Sequence, residues 1–170
     1  DLLDGEIKQY LARLSRLEGG QDESTEQMRQ LGYLNELENI GDIVDKNLSE
    51  LAIKKIRKRI QFSEQGWSEL QNFYQRVAEN MLIAETAFNR RDPELAKQLI
   101  RHKQRIDQDE RDLRDRHFAR LNAGLAQTHE SSAIHLDILT HLKRVNSCVT
   151  HVAYAISGDR RGESREIAPS

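Results

Sequence analysis

Apolar residues recur three or four positions apart almost without a break from Leu2 to Ile156, and only two prolines interrupt the chain. A period near 3.6 held for that length belongs to long amphipathic helices, each burying one stripe against its neighbours. Strand-rich sandwiches need period-two alternation and frequent turns, so the pattern excludes them. Uninterrupted apolar runs are only a few residues long, far short of the ~20 that a membrane-spanning helix needs. With 26 Lys and Arg against 28 Asp and Glu, the net charge is −2. That balance argues against a dedicated nucleic-acid binder, which carries a basic excess.

Five segments follow from the punctuation. The first, Leu2 to Leu17, sets Leu3, Ile7, Tyr10, Leu11 and Leu14 on one stripe and stops at Gly19-Gly20. Asp22, Ser24 and Thr25 are capping candidates for a second, which carries Met28, Leu31, Leu34, Leu37, Ile40, Val44, Leu48 and Leu51 to about Lys58. Ser63 opens a third with a heptad of Trp67, Leu70, Tyr74, Val77, Met81, Ala84 and Phe88. Asp92-Pro93, a cap followed by a proline at the first helical position, starts a fourth that runs to about Asn122. Its seam is partly polar, at His102, Asp109 or Glu110, and His117. The fifth runs from about Ser131 to Ile156, and beyond Gly158 the chain is polar and patternless.

A faint internal repeat is present. Shifting the chain by 105 residues lays Leu34, Leu37, Ile40 and Val44 on Leu139, Leu142, Val145 and Val149. A shift of 106 lays Asp4, Glu6 and Ile7 on Glu110, Asp112 and Leu113. Segments one and two thus pair with segments four and five, and segment three has no counterpart in the first unit. The opening Asp1-Leu2-Leu3-Asp4, with no initiator methionine, no basic n-region and no apolar signal core, reads as part of a longer polypeptide.

Candidate chemistry concentrates in Glu38, Asp42 and Asp45, at i, i+4 and i+7 of segment two. They form one stripe at ~100° to the Leu37/Ile40/Val44 stripe, flanking the bundle seam. The stripe is expected to lack a neutralising lysine or arginine, so its mutual repulsion would be relieved by a hard or borderline cation with oxygen preference. An acidic solvent-facing stripe balanced from a neighbouring helix accounts for the same spacing. His129, His135 and His141 recur every six residues, on different helix faces, and no Glu-x-x-His is present, so a di-iron carboxylate bundle is excluded. His102 and His117 read as hydrogen-bonded core or rim residues. Cys148 sits in an apolar stretch with no electropositive niche; alone it forms neither an internal disulfide nor a Cys-rich zinc site, which suits a reducing compartment. No Gly-x-Ser-x-Gly or Gly-rich phosphate loop occurs, so no enzyme motif is present. Lys54, Lys55, Arg57, Lys58 and Arg59 put five cations in six residues, either a solvated helix end or a membrane or partner contact.

The stretch Leu37-Glu38-Asn39-Ile40-Gly41-Asp42-Ile43-Val44-Asp45-Lys46-Asn47-Leu48 resembles the Asp-Leu-Glu-Arg-Ile-Gly-Asp signature of PhoU-like domains, with its Glu-x-x-x-Asp metal motif. Leu136-Asp137-Ile138-Leu139, Leu142-Lys143-Arg144-Val145-Asn146-Ser147 and Val152-Ala153-Tyr154 are similar to the last helix of the PhoU-like domain fused to bacterial sodium/phosphate cotransporters. Arg91-Asp92-Pro93-Glu94-Leu95-Ala96 adds to the likeness.

The resemblance implies an all-α, antiparallel helical bundle of tandem three-helix repeats with the first helix missing from this fragment. Repeat one would span 1–60 and repeat two 63–157, with 158–170 a disordered polar tail. It implies a regulatory domain that is not an enzyme, serving sodium-dependent phosphate transport. The domain would lie on the cytoplasmic face of the cell membrane, tethered to a transmembrane transporter domain of the same polypeptide. Alternatives are a free-standing PhoU-like phosphate-signalling adaptor and a metal-free structural scaffold. Carried over residue by residue, Glu38 and Asp42 would hold a divalent or trivalent ion (Mg, Ca, Mn, Zn or Fe); Asp45 is an adjacent candidate that the motif does not name, and an antiparallel first segment would offer Asp4 or Glu6 as further oxygen ligands. In the second repeat Lys143 and Ser147 replace the acidic pair, so Lys143 is expected to pair with Asp107 or Glu110 instead of binding metal. Short of one helix, the first repeat is expected to expose an apolar strip or to self-associate.

Overall fold

The computed structural model describes residues 2–17, 21–124 and 126–157, and among them the chain is helical with no strand. The expected tail at 158–170 and the Gly19-Gly20 stop lie outside the described residues. The elements are α1 (Leu2–Leu17), α2 (Gln21–Asp42), a π-helical segment (Ile43–Leu48), α3 (Ser49–Arg57), α4 (Glu64–Arg90), α5 (Pro93–Asn122) and α6 (Ala126–Ser157). The second predicted segment is thus one long rod whose middle is wound more loosely.

Local signals explain several ends. Ser63 caps α4, its Oγ accepting from the Gly66 N–H at 3.2 Å. Asp92 Oδ1 accepts from the N–H groups of Glu94 (2.9 Å) and Leu95 (3.2 Å), and Pro93 takes the first position of α5. Two expected starts are corrected. Helix α2 begins at Gln21, ahead of Asp22, Ser24 and Thr25. Helix α6 begins at Ala126 rather than near Ser131, whose hydroxyl donates back to the Gln127 carbonyl from inside the helix.

Helices α4, α5 and α6 form an up-down-up bundle. Glu69 meets Arg120 and Asn80 meets His102, which makes α4 and α5 antiparallel; Glu110 meets Lys143 and His117 meets Ser132, which does the same for α5 and α6. The rod α2–π–α3 lies along the outside of α6, and α1 packs only on α2 among the described elements. The core is Leu70, Phe73, Val77, Leu99, Ile106, Leu113, Leu139 and Val149, joined by Ile40 and Ile43 from the rod. Small residues Ala84, Ala96 and Ala153 share this core.

The predicted stripe of α4 holds at Leu70, Val77 and Ala84, and its other four positions are each displaced by one residue. Gly66, Leu70, Phe73, Val77, Asn80, Ala84 and Ala87 face inward, while Trp67, Tyr74 and Met81 are exposed. The true seam hides behind a glycine and an asparagine, so the large apolar residues beside it dominate the pattern. On the rod, Leu37 (38% exposed) and Val44 (47%) stand out where their repeat counterparts Leu142 (6%) and Val149 (2%) are buried. From Leu31 to Leu51 the expected apolar strip is thus reduced to these two side chains, since Ile40 and Leu51 on the same rod are buried.

Candidate functional site

The acidic motif sits where the α-helix gives way to the π segment. Each π turn takes more residues than an α turn, so the i, i+4, i+7 stripe of a regular helix is not kept. Ile43 turns into the core, and Val44 and Asp45 turn out to solvent. The expectation that the stripe lacks a cation is corrected by Lys46, whose ammonium donates to Asp42 Oδ2 at 2.8 Å from one turn along.

Glu38 points toward α1. Lys8 Nζ lies 3.2 Å from Glu38 Oε2 and 2.9 Å from Asp4 Oδ2, bridging the two carboxylates. Both hydrogen bonds, that to Asp4 foremost, raise the Lys8 pKa. Asp4 Oδ1 is buried without a hydrogen-bond partner. The structure thus brings Asp4 and Glu38 together, sets Asp42 on a different partner and leaves Asp45 and Glu6 exposed. Among the described residues no three His, Cys, Asp or Glu side chains gather as metal ligands. As folded, this donor set does not fit a six-coordinate ion: two carboxylates converge, and an ammonium fills the space between them.

Repeat two keeps the geometry with one charge reversed. Asp4 corresponds to Glu110, Lys8 to Arg114 and Glu38 to Lys143. Arg114 bonds Glu110 one turn back on its own helix, as Lys8 bonds Asp4. Lys143 Nζ reaches Glu110 Oε2 at 3.4 Å and Asp107 Oδ1 at 3.7 Å, the pairing expected from the sequence. Burial alone would raise the Glu110 carboxyl, but the hydrogen bond and charge of Arg114, with Lys143 behind it, hold it below the usual range.

Three polar clusters line the bundle seam, and of their members only His102 and His117 were expected from spacing. Asn80 Nδ2 donates to Asn146 Oδ1 at 2.8 Å, and His102 Nδ1 meets Asn80 Oδ1 at 2.8 Å, a polar layer across the bundle. Glu69 clamps Arg120 through both oxygens, at 2.7 and 3.1 Å. His117 and His135 stack with ring centroids 4.5 Å apart, both fully buried, and His117 Nε2 meets Ser132 Oγ at 2.9 Å. Helix α4 approaches this pair through Gly66, where a Cβ would lie 3.0 Å from Ser63 Oγ and 3.4 Å from the His135 ring. Burial, then the neighbouring His117, Arg120 and Arg114, pushes His135 down to about 3, and burial also lowers His117. The seam positions of His102 and His117 were the available signal, and both are hydrogen-bonded as expected.

Beneath the rod, His151 Nδ1 lies 3.1 Å from Glu36 Oε1. Burial and the adjacent Glu36 push the Cys148 thiol up to about 12, which makes it inert as a nucleophile. The basic run closes α3 and the turn after it, with Lys55 Nζ 5.6 Å from the Phe62 ring centre.

No helix among the described residues is long and apolar enough to cross a membrane. A family model described as the PhoU domain matches residues 70–156, the three-helix bundle built from Leu70 onward. A protein named putative inorganic phosphate export protein YjbB from Salmonella typhimurium (strain LT2) is 33% identical over 162 residues, 92% of this chain and 30% of its own length. Its namesake from Escherichia coli (strain K12) is 33% identical over 150 residues, 88% of this chain and 28% of its own. The chain therefore spans under a third of these relatives. No solved structure matches. The matched residues carry the bundle and the Lys143 variant of the motif, while Glu38 and Asp42 lie upstream of them. On the strength of that match across half its length, the chain belongs to the PhoU domain family.

Proposed function

We propose that this chain is the regulatory module of a phosphate-moving membrane protein, with sodium-coupled transport carried out by a transmembrane part of the same polypeptide and the module on its cytoplasmic side. The observation that carries the reading is the PhoU match in a chain whose relatives are named phosphate export proteins and are more than three times its length. Charge-paired seams and a half-buried thiol held in its unreactive protonated form support regulation over catalysis. The test compares radiolabelled phosphate flux in cells carrying the whole polypeptide with flux in cells carrying it without this segment. Flux should persist without the segment but lose its response to internal phosphate. An unchanged response defeats the regulatory role, and flux indifferent to replacing sodium with choline defeats the coupling.

A metal role belongs to the same reading. The support is Asp4 and Glu38, converging around Lys8, with one Asp4 oxygen left unpartnered. A divalent cation would compete with the Lys8 ammonium there, and Asp42 would have to leave Lys46 to join it.

A further inference from the structure

At the elbow between α3 and α4, large apolar side chains stand in water beside cations without ion partners. Ile53 and Ile56 on α3, and Trp67 and Tyr74 on α4, are all exposed, Ile56 at 73%. Around them lie Lys54, Lys55, Arg57, Lys58 and Arg59, five consecutive or near-consecutive cations, none of which takes an ion pair among the described residues. The chain as a whole carries −2, so this positive patch is local.

We infer that this elbow is a docking surface for an anionic lipid bilayer. The apolar side chains would enter the head-group boundary and the five cations would meet phosphate and carboxylate head groups. Tryptophan and tyrosine suit that depth, having an apolar ring with a polar edge. Lysine and arginine bury their stems while the charge stays at the surface. Charge complementarity selects the lipid: neutral head groups leave the five cations as unpaired as water does, whereas an anionic leaflet attracts each one. The inference does not depend on the phosphate reading, because a surface can hold a module at a membrane whatever the module controls.

The chain contains one tryptophan, and it lies in the patch, so its emission reports directly on this surface. The full 170-residue chain is titrated with vesicles of phosphatidylcholine alone and of phosphatidylcholine with phosphatidylglycerol, at low salt and in concentrated sodium chloride. Brominated lipid serves as quencher. Trp67 emission should shift to the blue and be quenched only with anionic vesicles, and salt should reverse both changes. Replacing Lys54, Lys55, Arg57, Lys58 and Arg59 together by glutamine should weaken partitioning by about fivefold per charge removed. Ile56→Ser should weaken it with the cations intact. Circular dichroism confirms that each variant stays helical. Equal binding to neutral vesicles, undiminished binding by the glutamine variant, or flotation without a Trp67 shift overturns the inference. So does a Trp67 shift produced by an acidic amphipathic peptide but not by anionic vesicles, which assigns the surface to a protein.

Discussion

His135 shows how much a single buried ring can govern. Held neutral under α4 against His117, Arg114 and Arg120, its folded pKa of about 3 lies far below the ordinary 6.5. The unfolded chain therefore binds the extra proton first as pH falls, and stability is greatest above 6.5 and declines from there toward 3. His117, also lowered from 6.5, acts in the same window, whereas Glu110, lowered from 4.5, adds its loss only below pH 4.5. Urea melts at pH 7 and pH 5 should differ, with a limiting slope of about 1.4 kcal/mol per pH unit for each proton involved. His135→Leu should flatten that limb, and an unchanged slope refutes the assignment. At Lys8 the cation question can be decided. If a divalent ion competes for Asp4 and Glu38, Lys8→Gln should increase both bound metal and the metal-dependent rise in Tm, and Glu38→Ala/Asp42→Ala should abolish both. Lys143→Ala should create no second site. Metal analysis that does not distinguish these variants leaves only the ion pairs.

At the level of elements, the helices fit together through a few polar contacts set in an apolar seam. Asn146→Ala removes the acceptor of the buried Asn80 amide and should cost about 1–3 kcal/mol in a denaturant melt. Replacing Asn80, Asn146 and the third member of the layer, His102, together by leucine should be far less costly, because no polar group of the layer is then left unpaired. Comparable losses in both variants show that the layer does no more than fill space. These same contacts mark how far the sequence could be read. Helix number and the caps at Ser63 and Asp92 follow from spacing and side-chain chemistry, and the pairing of Lys143 with Asp107 and Glu110 follows from the lysine that the family resemblance pointed to. Leu70, Val77 and Ala84 of the α4 seam followed too, but its alternate positions did not, because Gly66 and Asn80 occupy core positions that periodicity reserves for large apolar residues. Nor did the loosened turn from Ile43 to Leu48, since reading every residue at 3.6 per turn kept Asp45 in line with Glu38 and Asp42.

Across the whole molecule, the two repeats are unequally covered. Repeat two closes over its own seam with α4, while Leu37 and Val44 lie open on the rod. Light scattering over a concentration series should show this chain associating. Leu37→Gln/Val44→Gln should reduce association while changing Tm little, because both side chains are already largely exposed. A monodisperse monomer at every concentration rules this out. The shared apolar register of the repeats was visible in the sequence, and so was which copy stays less covered, because segment three has no counterpart in the first unit; among the described elements α1 packs on α2 alone. One feature of the seams bears on how such a chain can change over generations. On α1 and again on α5, an acid and a base stand one turn apart, so a residue on the facing helix finds a partner whichever sign it carries: Glu38 takes Lys8, and Lys143 takes Glu110. Glutamate and lysine codons differ by one base. A lineage can cross between them at this position in a single mutational step, exchanging one ion pair for another across the same seam while the bundle stays folded.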